Sequence, residues 1–375
     1  MISFSRNSRS IFANWWWTID KVLLLMFAIV IVLGAFLTFS ASPSVANRIG
    51  YGSFHFVKKQ MLFLPAAVAG MLFLSMLSLK NIRRIAILGY AATILLMFLT
   101  LFIGVENKGA TRWISIFGFQ LQPSEFVKPL FVMVAALLFE AGKKYQDFPG
   151  MLLSAGLYVL TAVLLLAQPD IGMCIVVSVI WCFQLFLAGL PLAFVWLLAG
   201  AGLVGAVGIY AFFPHAQARI VQLFSSELSY QVKKAMAAFE NGGWFGVGPG
   251  EGVAKLHIPD AHTDFIFAVA AEEYGMVFCL IIVGLFAAIV IRTMLLSCRE
   301  NNLFIILASS GLVASFGLQA IINMASTLHI APTKGMALPF ISYGGSALLG
   351  TAIGMGMLLA ITRKNVHAED KDEEY

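Results

Sequence analysis

His257-Ile-Pro-Asp-Ala-His-Thr-Asp264-Phe-Ile-Phe267 opens directly into an apolar run that lasts to Ile291. A carboxylate therefore stands at the mouth of a segment long enough to cross a bilayer, for which roughly 20 apolar residues suffice. An ionisable side chain at that boundary is costly unless it faces a polar cavity, which marks Asp264 as a functional candidate. Asp is also favoured at helix starts for dipole and hydrogen-bond reasons, so the same placement suits a cap. On the residues alone both readings stand.

Outward from this stretch, 60% of the 375 residues are hydrophobic and 11% are charged, against about a quarter charged in soluble domains. The expected fold class is therefore an all-α polytopic membrane protein. Ten spans are predicted, at 22–42, 58–79, 85–104, 126–142, 151–168, 171–190, 192–213, 265–291, 303–324 and 345–362. The first is too long, and lacks the small-residue cleavage site, for a removable leader. Residues 1–21 read as a cytoplasmic segment, 22–362 as the membrane domain with a large outer loop at about 214–263, and 363–375 as an acidic cytoplasmic tail.

An even number of spans puts both termini on one side, and thirteen of the 24 Lys and Arg, among them Arg6, Arg9, Lys80, Arg83 and Arg84, assign that side to the inside. Trp15-Trp16-Trp17 reads as an interfacial anchor. The other basic residues fall at the outer ends. Arg48, Lys58 and Lys59 suit anionic lipid headgroups, whereas Lys128 and Lys334 are embedded in Pro- and Gly-punctuated segments and suit a bound phosphate or pyrophosphate.

Cys174, Cys182, Cys279 and Cys298 lie in spans or at the inner boundary, so no disulfide framework or zinc spacing exists. Within the outer loop, 229–240 reads as an amphipathic surface helix with Val232, Met236 and Phe239 on one face. Asn241 to Gly252 is glycine-rich; the Gly-x-Gly-x-x-Gly register is broken and no strand precedes it, so a hinge is favoured over a nucleotide loop. Three further segments break helical continuity. Leu121-Gln-Pro-Ser-Glu-Phe-Val-Lys-Pro129 places Glu125 and Lys128 three apart on one helical face. Gln168-Pro-Asp-Ile-Gly172 offers Asp170 as a cap. Pro332 to Ser346 is too broken for a helix and reads as a re-entrant loop against protein.

Lys108 to Ile114, Gln122 to Pro129, Gln168 to Gly172, Ala261-His-Thr-Asp-Phe-Ile-Phe267 with Ala271-Glu-Glu-Tyr-Gly275, and Leu338-Pro-Phe-Ile-Ser-Tyr-Gly-Gly-Ser346 together resemble the SEDS family (shape, elongation, division and sporulation). The resemblance covers essentially every span and leans toward the division-septum branch over the rod-elongation branch. Val247, Asp260 and Ala347 depart from the family pattern. The resemblance implies a ten-span glycosyltransferase that polymerises lipid II, an undecaprenyl-pyrophosphoryl disaccharide-pentapeptide, at the outer face of the plasma membrane of a bacterium, at the division septum. It also implies that Asp264 is the essential carboxylate and that Glu125 and Lys128 form the family's Glu–Lys pair. Its implied partners are a class B penicillin-binding protein transpeptidase and other divisome membrane proteins, besides lipid II, the undecaprenyl-pyrophosphate-linked glycan and membrane lipid. No nucleic acid is expected.

Inverting transfer from an alpha-linked sugar pyrophosphate needs a base on the attacking hydroxyl, for which Asp264 is the candidate. Cations must meet the leaving pyrophosphate, and Lys128, Arg219, Lys255 and Lys334 are candidates, with Arg112 a weaker one. Glu272, on the better-placed face of its helix than Glu273, together with Gln231 and Ser342, completes the candidate substrate-binding set. These residues name no certain cofactor. A divalent cation, Mg or Mn, could assist, and His257, His262 and Asp264 are legitimate donors, but no ligand set emerges. Asp370-Lys-Asp372 mimics a metal motif by chance. The alternatives from other classes are a lipid II flippase, which would need polar residues continuing to the inner side, and a non-catalytic divisome scaffold, which would tolerate loss of Asp264.

Overall fold

The computed structural model describes residues 10–107, 110–116, 118–190, 230–332 and 335–364, with isolated positions between 200 and 217. Most of the predicted seventh span, the first part of the outer loop, Lys108, Arg219, Lys334 and the acidic tail beyond Lys364 lie outside the described residues. A short helix α1 (Ile11–Thr18) precedes α2 (Lys21–Arg48), α3 (His55–Ser75), α4 (Leu79–Ile103), α5 (Ser124–Lys144), α6 (Gly150–Ala167) and α7 (Ile171–Leu187). After them come α8 (Tyr230–Gly242), α9 (Ile266–Ser297), α10 (Leu303–Thr327) and α11 (Gly345–Ile361). Of these, α2, α3, α4, α6, α9 and α10 are long and apolar enough to cross a membrane, while α7 and α11 are shorter apolar helices. The chain is a multi-pass membrane protein.

Local chemistry explains several starts. The Asp20 carboxylate accepts the Leu23 amide at 2.8 Å and opens α2, Asp170 does the same for Met173 at 3.3 Å in α7, and Asn302 accepts the Phe304 amide at 2.9 Å in α10. Trp15 donates to Ser75 Oγ at 2.9 Å, fixing α1 against the end of α3, and Lys21 lies 4.7 Å from the Trp17 ring. Helix α10 is the central one, with 67% of its most apolar stretch buried against 28% for α3, α4, α6 and α9. The outer helices present Leu88, Phe102 and Leu152 outward, as lipid contact allows.

The two ends of the bundle differ. At one end Lys364 donates its amide to Thr18 O at 2.9 Å, Arg292 pairs with Asp20 at 2.7 Å and Arg83 pairs with Glu140 at 3.2 Å. At the other end the connections gather. Three short strands, β1 (Val105–Asn107), β2 (Ala110–Ile116) and β3 (Phe119–Leu121), form an antiparallel sheet in the order β1-β2-β3. This sheet is a departure from the all-helical expectation. Thr111, Trp113 and Ile114 favour extended backbone, and Gly118 supplies the left-handed turn residue at φ 81° between β2 and β3.

The glycine-rich stretch is not a hinge. Helix α9 breaks at Gly275 (φ 80°, ψ 178°), which strands two carbonyls and two amides that an unbroken helix would pair. All four are met by the glycine stretch: Val247 donates to Glu272 O at 2.9 Å, Gly248 to Glu273 O at 3.0 Å, and the Met276 and Val277 amides donate to Gly243 O and Trp244 O at 2.9 and 3.2 Å. The stretch is a splint for a broken helix, and the amides of Gly246, Val247 and Gly248 at its centre are occupied. Helix α8 packs on α9 through Val232, Ala235, Ala238 and Gly242, with Phe239 5.9 Å from Phe267, so its buried face is turned from the expected Val232–Met236–Phe239 face toward the small residues that permit close approach.

Gly246 sits at φ 82°, where an added Cβ would overlap the Glu273 carbonyl. Gly246→Ala meets both a left-handed backbone penalty of about 1–2 kcal/mol and an overlap, and is expected to lower the thermal midpoint in detergent. Gly243→Ala, whose added methyl meets open space, is expected to cost less. Scanning fluorimetry of both variants checks the order, and a Gly246→Ala midpoint equal to wild type would contradict the splint.

Candidate active site

Asp264 stands one residue outside the α9 cap position, which is Phe265 and carries no side-chain cap. The segment that leads to it is fixed on several sides. Ser342 Oγ donates to Thr263 O at 2.5 Å, the Tyr343 amide donates to His262 O at 2.9 Å, and Asn323 Nδ2 donates to Asp264 O at 3.0 Å. The Asp264 carboxylate is partly buried and faces exposed Gly335, where a Cβ would lie 3.3 Å from Oδ2. At φ +65° that backbone suits glycine. The carboxylate is thus held at a mouth, with its backbone immobilised.

His262 packs 3.9 Å from the Phe56 ring and 5.3 Å from Tyr343. Burial lowers its pKa from 6.5 to about 4, so the imidazole is neutral at ordinary pH. His257 instead lies 3.3 Å from Val253 O through Nδ1. Among the described residues no three His, Cys, Asp or Glu side chains gather as a metal site, so the His257–His262–Asp264 set is not assembled.

Behind the mouth, Lys128 Nζ donates to Glu125 Oε2 at 2.7 Å and to Gln319 Oε1 at 2.6 Å. Both charged residues are buried at the start of α5. They line a cavity shared with Ser315, Gln319, Pro339 and Thr351. Pairing and the Gln319 amide satisfy charges that would otherwise be costly away from water.

The remaining predicted residues are placed differently. Arg112, on β2, donates to the carbonyls of Gln168, at 3.1 Å, and Pro169 and lies 3.6 Å from Asp170, so it ties the sheet to the α6–α7 connection. Asp170 both caps α7 and receives this cation. Lys255 is buried, pairs with Glu273 and donates to Gly250 O at 3.3 Å; Glu273 also accepts Ser40 Oγ. Glu272 accepts the Val253, Ala254 and Lys255 amides at 2.9, 2.7 and 2.8 Å. The expectation that Glu272 is the open cavity residue is therefore corrected: three backbone amides occupy its carboxylate, and it anchors the short 3-10 turn Ala254–His257. Lys255 is likewise an internal ion-pair partner, and Ser342 a tie between two loops. Gln231 is half-buried in the first turn of α8. Arg219 and Lys334 fall outside the described residues. Two residues that sequence reasoning passed over, Gln319 and Asn323, prove to join the parts; amides four apart in an otherwise apolar span were the available sign.

Removing one partner of a buried pair leaves an unpaired charge and costs about 3–5 kcal/mol. Lys128→Ala is expected to reduce folded yield and activity. The double change Glu125→Gln with Lys128→Met is expected to restore yield without activity. Size-exclusion profiles and activity of the two variants decide it, and wild-type activity in Lys128→Ala would remove the pair from the site.

Residues 20–367 match the family described as cell cycle protein, which takes in FtsW, RodA and SpoVE. A probable peptidoglycan glycosyltransferase FtsW of Caulobacter vibrioides is 42% identical over 100% of this chain and 96% of its own length; the one of Trichlorobacter lovleyi is 34% identical over 92% of this chain and 93% of its own. The rod shape determining protein RodA of Thermus thermophilus superimposes with a TM-score of 0.68 at 26% identity, covering 92% of this chain and 97% of RodA. A solved structure described as structural coordination of polymerization and crosslinking by a peptidoglycan synthase complex gives a TM-score of 0.76 at 26% identity, with the same coverage of 92% and 97%. On a match over residues 20–367, which takes in the helices, their connections and Asp264 alike, this chain belongs to the FtsW, RodA and SpoVE family of cell cycle proteins.

Proposed function

We propose that this chain is a peptidoglycan glycosyltransferase that polymerises lipid II at the outer face of the plasma membrane, with Asp264 as the general base. The observation that carries the reading is Asp264 itself, a carboxylate at the mouth of a membrane helix whose backbone is fixed by Asn323 and whose side chain faces exposed Gly335. The base takes the proton of the acceptor 4-hydroxyl as its oxygen bonds to the donor anomeric carbon. The bond from that carbon to the pyrophosphate oxygen breaks with inversion, and the pyrophosphate departs with the electron pair. With Arg112 and Lys255 engaged in internal pairs, the cations for the leaving group are assigned to Lys334, which directly precedes Gly335 in sequence, and Arg219. A divalent cation, Mg or Mn, remains a separate proposal, and no step here is routed through one.

The finer architecture belongs to the same reading. The ten-span reading puts residues 105–124, 214–263 (described without a break from 230 on) and 325–344 outside and both termini inside, in keeping with the Arg-rich opposite end. A class B penicillin-binding protein is the proposed partner, supported by the likeness to a complex for polymerization and crosslinking, and the septum is the proposed place of action.

A single cysteine introduced at exposed Glu240 in a cysteine-free background is expected to react with an impermeant thiol reagent in intact spheroplasts. Protection there, with labelling after lysis, would reverse the topology and move the site inside.

Asp264→Asn preserves shape and is expected to keep folding, membrane insertion and partner binding while polymerisation of purified lipid II falls about 100- to 10,000-fold. Robust polymer from the folded variant would favour the scaffold reading.

A further inference from the structure

Gln319 and Asn323 lie one turn apart on the central helix α10 and are buried at 3% and 1% exposure. Neither side chain points to lipid, and each joins two parts of the site. Gln319 accepts Lys128 Nζ at 2.6 Å and donates through Nε2 to Ala337 O at 2.8 Å. Asn323 Nδ2 donates to Met336 O at 2.6 Å and to Asp264 O at 3.0 Å. The adjacent residues Met336 and Ala337 connect the two amides, and Gly335, next along, abuts the Asp264 carboxylate. A path of hydrogen bonds, joined by the covalent backbone of Met336 and Ala337, therefore runs from Glu125 through Lys128, Gln319 and Asn323 to the main-chain carbonyl of Asp264.

We propose that Gln319 and Asn323 are positioning residues for the transfer reaction, and that the Glu125–Lys128 pair acts on Asp264 through them rather than by touching substrate. This inference rests on the reading of Asp264 as the base. The geometry distinguishes it from general packing support. Buried Gln184 also bridges two segments, through the Val132 and Leu307 carbonyls, but Asn323 donates to the main-chain carbonyls of Met336 and of Asp264 itself, so the two segments it joins are the one that carries the carboxylate and the one that walls it. The pair sits at the buried end of the ladder, where its ammonium fixes the Gln319 carbonyl and so directs the amide nitrogen toward Ala337. Loss of that ammonium frees Gln319 to turn, releases the 335–337 backbone, and loosens the wall against which Asp264 is set. Small displacements of a catalytic group are worth large factors in rate, on the order of 100-fold for 1 Å.

The test combines kinetics with hydrogen exchange on the full-length protein. Initial rates against lipid II concentration are measured for wild type, Asn323→Leu, Gln319→Met, and Glu125→Gln with Lys128→Met, singly and combined, beside deuterium uptake of peptides covering 261–268 and 335–342. Asn323→Leu is expected to lower kcat at least about 10-fold with KM within about 2-fold, and Asn323→Ser, which keeps a donor, to recover part of the loss. Adding Gln319→Met to Asn323→Leu is expected to cost no more than the larger single effect, because one chain is already cut. The pair variant is expected to speed exchange in both peptides although Lys128 contacts neither Asp264 nor Met336. If Asn323→Leu gives no folded protein, Asn323→Ser and Gln319→Met carry the same comparisons. Wild-type kcat in the folded Asn323 and Gln319 variants, multiplicative costs on combination, or unchanged exchange in the pair variant would each overturn the proposal. An inactive wild type would sink the enzymatic reading instead, and the exchange measurements would still decide the coupling.

Discussion

Backbone that leaves a helix inside a membrane protein must find its hydrogen bonds within the protein, because lipid offers none. This constraint organises the end of the bundle where the site lies. The break at Gly275 exists only because residues 243–248 supply two amides and two carbonyls to it. The turn at 254–257 is held because Glu272 receives three consecutive amides, and the 335–346 segment because Gln319, Asn323 and the Ala261–Asp264 stretch receive or donate along its length. Remove any of these partners and the irregular chain that presents Asp264 has no reason to stay where it is.

Charge follows the same rule. Lys128 with Glu125, Lys255 with Glu273, and Arg112 with Asp170 are each paired inside the fold, and each pair joins elements distant in sequence or marks the start of one. A buried pair is weak evidence for stability, since desolvation offsets most of its attraction. Its worth here is in fixing which segments meet, which is how a bundle of largely apolar helices acquires one register at its outer end.

The helices were legible in the sequence because apolar length is a strong and local property, and the described helices start within a few residues of the predicted spans except α4, which begins at Leu79 rather than 85. Glu125 and Lys128 were legible because a three-residue spacing forces them together on one helix. What failed was non-local. Nothing near Glu272 in sequence announces that its carboxylate is taken by amides at 253–255, and nothing near Lys255 announces Glu273. The glycine stretch read as flexible because its partner is a helix break thirty residues away. The sheet was missed for a related reason: two of its strands, β1 and β3, have three residues each and leave too few positions for an alternating pattern to show, and the pairing of β3 with β2 depends on a turn at Gly118.

The break in α9 has a mechanical consequence. A continuous rod would carry any tilt of its membrane-embedded part straight to its tip, and spans do tilt to match bilayer thickness. Here the rod is jointed between Asp264 and the lipid-facing remainder, and the joint is bridged by four backbone bonds to a separate piece of chain. A tilt of the rod therefore meets the 243–248 segment before it meets the carboxylate. The end of the helix that carries Asp264 is thus anchored to the neighbouring connections as well as to the apolar rod behind it.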